Sequence, residues 1–434
     1  MTAPALRPVG GLTFLLFAFA GPVGAADVSC EPSTVDIRDA FAGRQLLVSA
    51  GNRDATRTAK YSSTNPAVAV VDAKGYVSPA GDGSATIRVE TASGTLDVPV
   101  KVSGFAAGRA VDFRTEVVPL LSKLGCNAGG CHGKASGQNG FKLSLFGFDA
   151  DFDHAAIVKE ARGRRVFPAS PESSLFLVKG AGQVPHGGGK KVAPGSADYL
   201  VLKRWIATGA PASAPDVPKV TKIRVVPGDR VLRPGHLQQL AVIAEYSDGS
   251  TRDVTRQSEF ASNLEPVAAV ESDGLVRAGQ LSGEAAVMAR HMGYVAVFRA
   301  MVPHGEPLAA IPEFQPLNYV DELSLAKWKK LGLKPSAVVD DATFLRRVTV
   351  DICGRIPTAD EAKAFLADKS PDKRAKLVDK LLDSPDYPAY FALKWGSILR
   401  NSTLAGADRA AVAFHNWIRD QIATNRPYDE FVRG

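Results

Sequence analysis

Sulfur is scarce in this sequence, with four cysteines and four methionines in 434 residues. So few cysteines exclude a disulfide-dense scaffold of the kind small secreted domains rely on. After the first 26 residues there is no stretch of about eighteen uncharged apolar residues, which excludes a membrane-spanning helix in the rest of the chain. No helix or loop carries a dense Lys/Arg run with interleaved aromatics, so nucleic acid is not an expected partner. Neither GxSxG nor HExxH occurs, which removes two local signatures of hydrolase chemistry. The remaining composition is ordinary. Forty-five per cent apolar residues suit globular protein, and the length suits roughly three or four domains.

The cysteines are unevenly spread. Cys126 and Cys131 stand together in Cys126-Asn127-Ala128-Gly129-Gly130-Cys131-His132, while Cys30 and Cys353 lie far away. A cysteine pair followed at once by histidine is the covalent haem-attachment pattern. Two thiols on one short loop add to the haem vinyl groups, and the next histidine is placed to bind the iron. The usual spacer is two residues and here it is four. Gly129 and Gly130 are expected to absorb the extra length through turns that other residues resist. Two further readings stay open. One is a local disulfide, which an exported protein permits. The other is zinc, disfavoured because the adjacent Cys131 and His132 cannot easily both reach one tetrahedral ion.

Residues 1–26 read as a signal peptide: Arg7, a short apolar run over 11–20, then small residues Gly24, Ala25 and Ala26. Export to the periplasm or cell surface agrees with covalent haem, which bacteria attach outside the cytoplasm. Residues 105–215 hold 14 Lys and Arg against 8 Asp and Glu, so most of the net charge of +7 lies around the Cys-Cys-His loop. That surplus suits either a solvated basic face or steering towards an acidic redox partner.

Residues 27–103 alternate apolar and polar, as in Ile87-Arg88-Val89-Glu90 and Leu96-Asp97-Val98-Pro99-Val100, the period of half-buried strands. Pro99 must then sit at an edge or a bulge. The pattern returns in residues 216–304. Tyr61-Ser62-Ser63-Thr64-Asn65-Pro66 parallels Phe260 to Pro266, and Gly75-Tyr76-Val77 parallels Gly274-Leu275-Val276. Both segments resemble bacterial group 2 immunoglobulin-like domains, which implies two small β-sandwiches.

Between them, Val117, Leu120, Leu121 and Leu124 fit a helix face running into Cys126. Tyr199, Leu202, Trp205 and Ile206 fit a second helix capped by Ser196 and stopped at Gly209. The run Phe141-Lys142-Leu143-Ser144-Leu145-Phe146-Gly147-Phe148, with Arg164-Arg165, Pro171-Glu172-Ser173-Ser174-Leu175, Pro185-His186-Gly187-Gly188-Gly189 and Trp205-Ile206, resembles the cytochrome c-like domain of large planctomycete-type secreted proteins. The resemblance implies covalent haem c held by Cys126, Cys131 and His132. No methionine lies in residues 104–215, and its other histidines are His154 and His186. His186, in the loop before three glycines, is the expected second axial ligand, ahead of His154 or an open site.

From residue 305 the chain reads helical, with apolar stripes and a capping box at Thr358-Ala359-Asp360-Glu361. Arg346-Arg347, Thr349, Asp351, Gly354 and Trp417-Ile418-Arg419-Asp420 resemble the uncharacterised helical domain that follows in the same proteins. Its members continue past the equivalent of Phe431, so a longer protein is expected. Asp351 and His415 are isolated polar candidates there. Asp149, Asp151, Asp153 and Glu160 match four positions of a calcium loop, but His154 stands where the loop needs glycine.

The expected fold is therefore multidomain. Two β-sandwich (Ig-like) domains, 27–103 and 216–304, flank an α-helical cytochrome c-like domain, 104–215. An all-α domain, 305–434, follows. The expected function is one-electron transfer. The alternatives are a haem-free surface binding or scaffolding protein, and an enzyme whose site lies in the helical domain or beyond residue 434.

Overall fold

Alternation becomes strand in both expected places. The computed structural model of the chain describes residues 27–107, 109–402 and 408–434, so the expected signal peptide lies outside the described residues. Strands Gly83–Thr91 and Gly94–Val102 pair antiparallel along their whole length. Their apolar members, Ile87, Val89, Val98, Val100 and Val102, are at most 2% exposed. Each such side chain contributes about 1.5–3 kcal/mol by leaving water. Pro99 lies one residue before strand Val35–Ile37 pairs with residues 100–102, so it has a ladder neighbour on one side only.

The first β-domain is built from three small sheets. The largest runs 35–37, 94–102, 83–91, 60–63. The second β-domain repeats this order with 229–231, 294–302, 283–291, 259–262, and its two three-stranded sheets also match those of the first. The duplication seen in sequence is thus a duplication of topology, with an apolar core in each copy.

The two copies meet through a reciprocal polar exchange. The Gln45 amide donates to Asp253 at 2.8 Å, and the equivalent Gln239 amide donates to Asp54 at 2.9 Å. Both aspartates begin the same motif, Asp54-Ala55-Thr56-Arg57 and Asp253-Val254-Thr255-Arg256. In each copy the threonine hydroxyl accepts a strand amide, that of Val48 or Val242. The arginines then cross over, Arg57 pairing with Asp273 at 2.8 Å and Arg256 with Asp72. Residue i contacts j and j contacts i, the rule of a two-fold dimer carried out within one chain.

The chain between the copies forms a small helical domain. After a wide turn at Phe113–Val117 come α1 (Val118–Lys123), α2 (Ala150–Val158), α3 (Leu175–Gly180) and α4 (Ala197–Ala207). Ser196 caps α4 by accepting the Tyr199 amide. Trp205, Phe113, Leu120, Leu121 and Ile206 form a core no more than 1% exposed. Lys123, at the end of α1, pairs with Asp198 at 3.6 Å and donates to the Arg256 carbonyl. The helical domain is thereby pinned where the two β-domains meet.

A helix α5 (Tyr319–Leu331) follows the second β-domain. The chain divides into two compact units at Lys334/Pro335, so α5 groups with the β-domains rather than with the helices expected from residue 305. Lys327 pairs with Glu284 at 2.8 Å and the His304 amide donates to Leu331, which ties α5 to the preceding strands.

The second unit consists of α6 (Asp341–Cys353), α7 (Ala359–Ala367), α8 (Lys373–Leu382), α9 (Asp386–Ile398), α10 (Asp408–Ala423) and α11 (Tyr428–Arg433). The Thr358/Glu361 capping box forms, and Arg355 grips Glu361 bidentately at 2.9 Å. The coarse architecture is multidomain, with sandwich-like sheets first and a helical unit last.

Candidate functional site

The loop after α1 is closed by its own backbone. The Cys126 amide donates to Leu121, Cys131 to Ala128, and His132 back to Cys126 at 3.0 Å. This last bond ties both ends of the spacer together, and Cys126, Cys131 and His132 line the same cavity. Gly129 and Gly130 do not supply the turn as expected. Neither has a positive φ, and a Cβ on either would meet no clash. The residues that matter sit beside the motif. A Cβ at Gly133 would lie 1.9 Å from the Asn127 carbonyl, and Gly125 has φ 71°. Asn127 is fully buried, its side-chain amide donating to Ser122 and its backbone carbonyl accepting the Phe146 amide.

Cys126, Cys131, His132 and His186 all line one cavity of about 430 Å³, a volume within the usual range for cofactor sites. Its apolar lining includes Leu121, Phe141, Leu143 and Leu177. The His132 and His186 rings lie 6.3 Å apart, centre to centre, and within 9° of parallel. Both rings are held by Nδ1. His132 bonds the Phe141 carbonyl at 3.0 Å and His186 the Gly189 carbonyl at 2.8 Å. With Nδ1 donating, each Nε2 keeps a lone pair, which is how metal-binding imidazoles are oriented. Burial holds the His132 pKa below its usual value, with the neighbouring His186, Arg165 and Lys179 adding to the effect against the Phe141 bond. His132 is therefore neutral at pH 7 and free to act as a ligand.

The His186 loop is fastened at its base, where the Lys191 and Val192 amides donate to Gly180. The Lys179 ammonium donates to the Pro185 carbonyl at 3.0 Å. Cys126 and Cys131 are both free thiols, as are Cys30 and Cys353. Burial pushes the Cys126 thiol up to about 11, against the pull of Lys191. Among the described residues no group of three or more His, Cys, Asp or Glu side chains converges on a bare metal ion.

His154 lies elsewhere. It is buried against Phe113 and Trp205, with Nε2 on the Ala210 carbonyl at 2.8 Å. Three of the four calcium-loop acids have structural partners: Asp149 caps α2, Asp153 is buried on Ser144, and Asp151 pairs with Arg114. Asp351 is exposed on α6 and His415 half-buried on α10. Arg165 was passed over at the sequence level as one of a basic pair. It is 5% exposed, stacks on Phe141 at 4.4 Å and lines the cavity.

Residues 319–434 match a family of unknown function, DUF1549 (PSCyt2), and residues 53–93 match the intimin immunoglobulin-like domain. None of the curated proteins matches the chain. Among solved structures, the S-layer protein SbsC is 12% identical with a TM-score of 0.18, the alignment covering 65% of this chain and 28% of that one. Its domains 5–6 give 11%, 0.25, 64% and 96% in the same order. Invasin, a bacterial integrin-binding protein, gives 14%, 0.14, 66% and 62%. The chain thus spans little more than a quarter of the length of the first of these. Among the described residues no helix is long and apolar enough to cross a membrane.

Proposed function

We propose that the protein is an exported, modular c-type cytochrome of the planctomycete-type secreted kind it resembles. In this reading residues 104–215 are a cytochrome c-like domain and transfer single electrons. Haem c is tethered through Cys126 and Cys131 and ligated by His132 and His186. The observation that carries this reading is the imidazole pair: the His132 and His186 rings stand 6.3 Å apart, centre to centre, in the cavity that both thiols line, and both would be available to hold the iron.

Bound haem supplies the Fe(III)/Fe(II) couple. The chain supplies everything around it. The Phe141 and Gly189 carbonyls fix the two tautomers, and Leu121, Phe141, Leu143 and Leu177 give the site an apolar wall. The loop closure from His132 to Cys126 supports the four-residue spacer, because both cysteines line the cavity in the loop so closed.

The full chain, expressed in a bacterial periplasm with a haem-maturation system, should retain haem on the acid-denatured polypeptide and gain the mass of one haem. Cys131→Ala should lose most of that retention. An intact mass without added haem ends the proposal.

A haem-free surface binding or scaffolding protein is the second reading. The intimin-type match over residues 53–93 favours it, as does a β-frame that occupies most of the first unit. Its own expectation is that the maturation system leaves the mass unchanged and that oxidation joins Cys126 to Cys131.

A further inference from the structure

The cavity wall is charged with one sign. Arg164, Arg165, Lys179 and Lys191 line it, and no Asp or Glu does. None of these four forms an ion pair among the described residues. Arg165 is the unusual member, because it is buried. Its Nη1 donates to the Ala156 carbonyl at 2.8 Å and its Nη2 to Gly140 at 3.0 Å. Those two bonds fix the plane of the guanidinium and leave three of its N–H groups unused. The Phe141 ring beneath it packs on His132, with ring centres 4.5 Å apart. Buried charges in folded proteins are paired or neutralised, and a guanidinium does not give up its proton. Glu160 acts on Arg165 through space but forms no ion pair with it, so a place for an occupant's anion stays unfilled beside the guanidinium.

We infer that Arg165 is a carboxylate-binding residue of this cavity, receiving an acidic arm of the bound cofactor, with Lys191 completing the charge at the rim. This rests on the haem reading, in which the arm is a propionate. The rigid guanidinium fork suits a carboxylate better than an ammonium does. A propionate paired in this way stays ionised through the neutral range. The arginine charge also favours the reduced iron, which carries one positive charge fewer.

The test uses the full-length holoprotein, with the midpoint potential measured between pH 5 and 9. Wild type should show a nearly flat profile. Arg165→Gln should lower the potential and introduce a pH-dependent step, because the released propionate now titrates with the redox change. Arg165→Lys should restore most of the potential. Should Arg165→Gln fail to mature, Lys191→Gln reads the same wall and should lower the potential by a smaller shift.

A second arm separates a cofactor carboxylate from a free anion. The full chain expressed without haem maturation is titrated with protoporphyrin IX and with its dimethyl ester, followed by tryptophan fluorescence. The diacid should bind at least about tenfold more tightly than the ester, a preference lost in Arg165→Gln. Equal affinity for both, with an Arg165-dependent thermal stabilisation by inorganic phosphate instead, overturns the inference. So does attached haem whose potential and pH profile are unchanged in both variants. Absence of attached haem in wild type is a different failure, that of the haem reading itself.

Discussion

Two histidines show how far one residue's setting decides its role. His186 shares the cavity with His132, and His154 is spent on the core. If His186 is the second axial ligand, His186→Ala opens a coordination position, and the ferrous protein should bind carbon monoxide where wild type does not. His186→Met should raise the midpoint potential, as thioether ligation does. A low-spin spectrum unchanged in His186→Ala would exclude this ligand. His291 is a separate case. It is 3% exposed, and neither ring nitrogen reaches a hydrogen-bond partner. Burial pushes its pKa down to about 4, against the opposing effect of the Gln257 backbone. The folded value is depressed, so the stability His291 contributes is fully present above about pH 6.5 and is lost as pH falls towards 4. Over that window the loss approaches about 3 kcal/mol. Burial raises Glu259 on the neighbouring strand, an effect of opposite sign. Comparing thermal unfolding of wild type and His291→Leu from pH 7 to 4 isolates the histidine: the variant should lose the acid-sensitive component and keep its stability at pH 7.

At the scale of elements, the strands were legible because alternation is a local property. Ile87, Val89, Val98 and Val100 announce their buried face in consecutive residues, and Ser196 and Thr358 announce their helices by capping chemistry. The Cys-Cys-His stretch stands out in the sequence, but its local geometry differs from the one expected. Gly129 and Gly130 drew attention because they fill the spacer, whereas the steric demand falls on Gly133, whose importance depends on where the Asn127 carbonyl turns. The buried state of Arg165 was hidden for a similar reason. It needs Phe141, Ala156 and Gly140 in place, and no local pattern joins those three. The loop geometry gives a paired prediction. Gly130→Ala should leave haem retention and melting unchanged. Gly133→Ala should sharply reduce haem retention while the β-domains melt as before, measured by pyridine haemochrome and calorimetry. Equal retention in the two variants would remove Gly133 from the account.

At the scale of the molecule, the reciprocal clasp between the β-domains was invisible in either copy alone. Its one sequence trace is the repeated Asp-x-Thr-Arg. Asp54 and Asp253 each accept amides from both copies: Asp54 from Thr56 and Gln239, Asp253 from Thr255 and Gln45. Removing either carboxylate strands buried donors, which costs about 1–3 kcal/mol. Asp54→Ala and Asp253→Ala should therefore each lower the unfolding free energy by that order. The double variant should fall short of the sum if loss of one half loosens the other. A denaturant series on the four proteins reads the coupling, and strict additivity would mean that the halves act independently.

The clasp also sets a schedule. Its two amide–carboxylate bonds join residues 208 and 185 positions apart. The strands of each β-domain pair over short separations and can form as soon as they emerge. The clasp cannot form until the second Asp-x-Thr-Arg has emerged as well. Contacts of such long separation are the slow part of a folding reaction. When the clasp closes, it draws together the two ends of the segment that carries Cys126, Cys131 and His132. The Cys-Cys-His loop is therefore unframed before closure and lies within a finished frame after it.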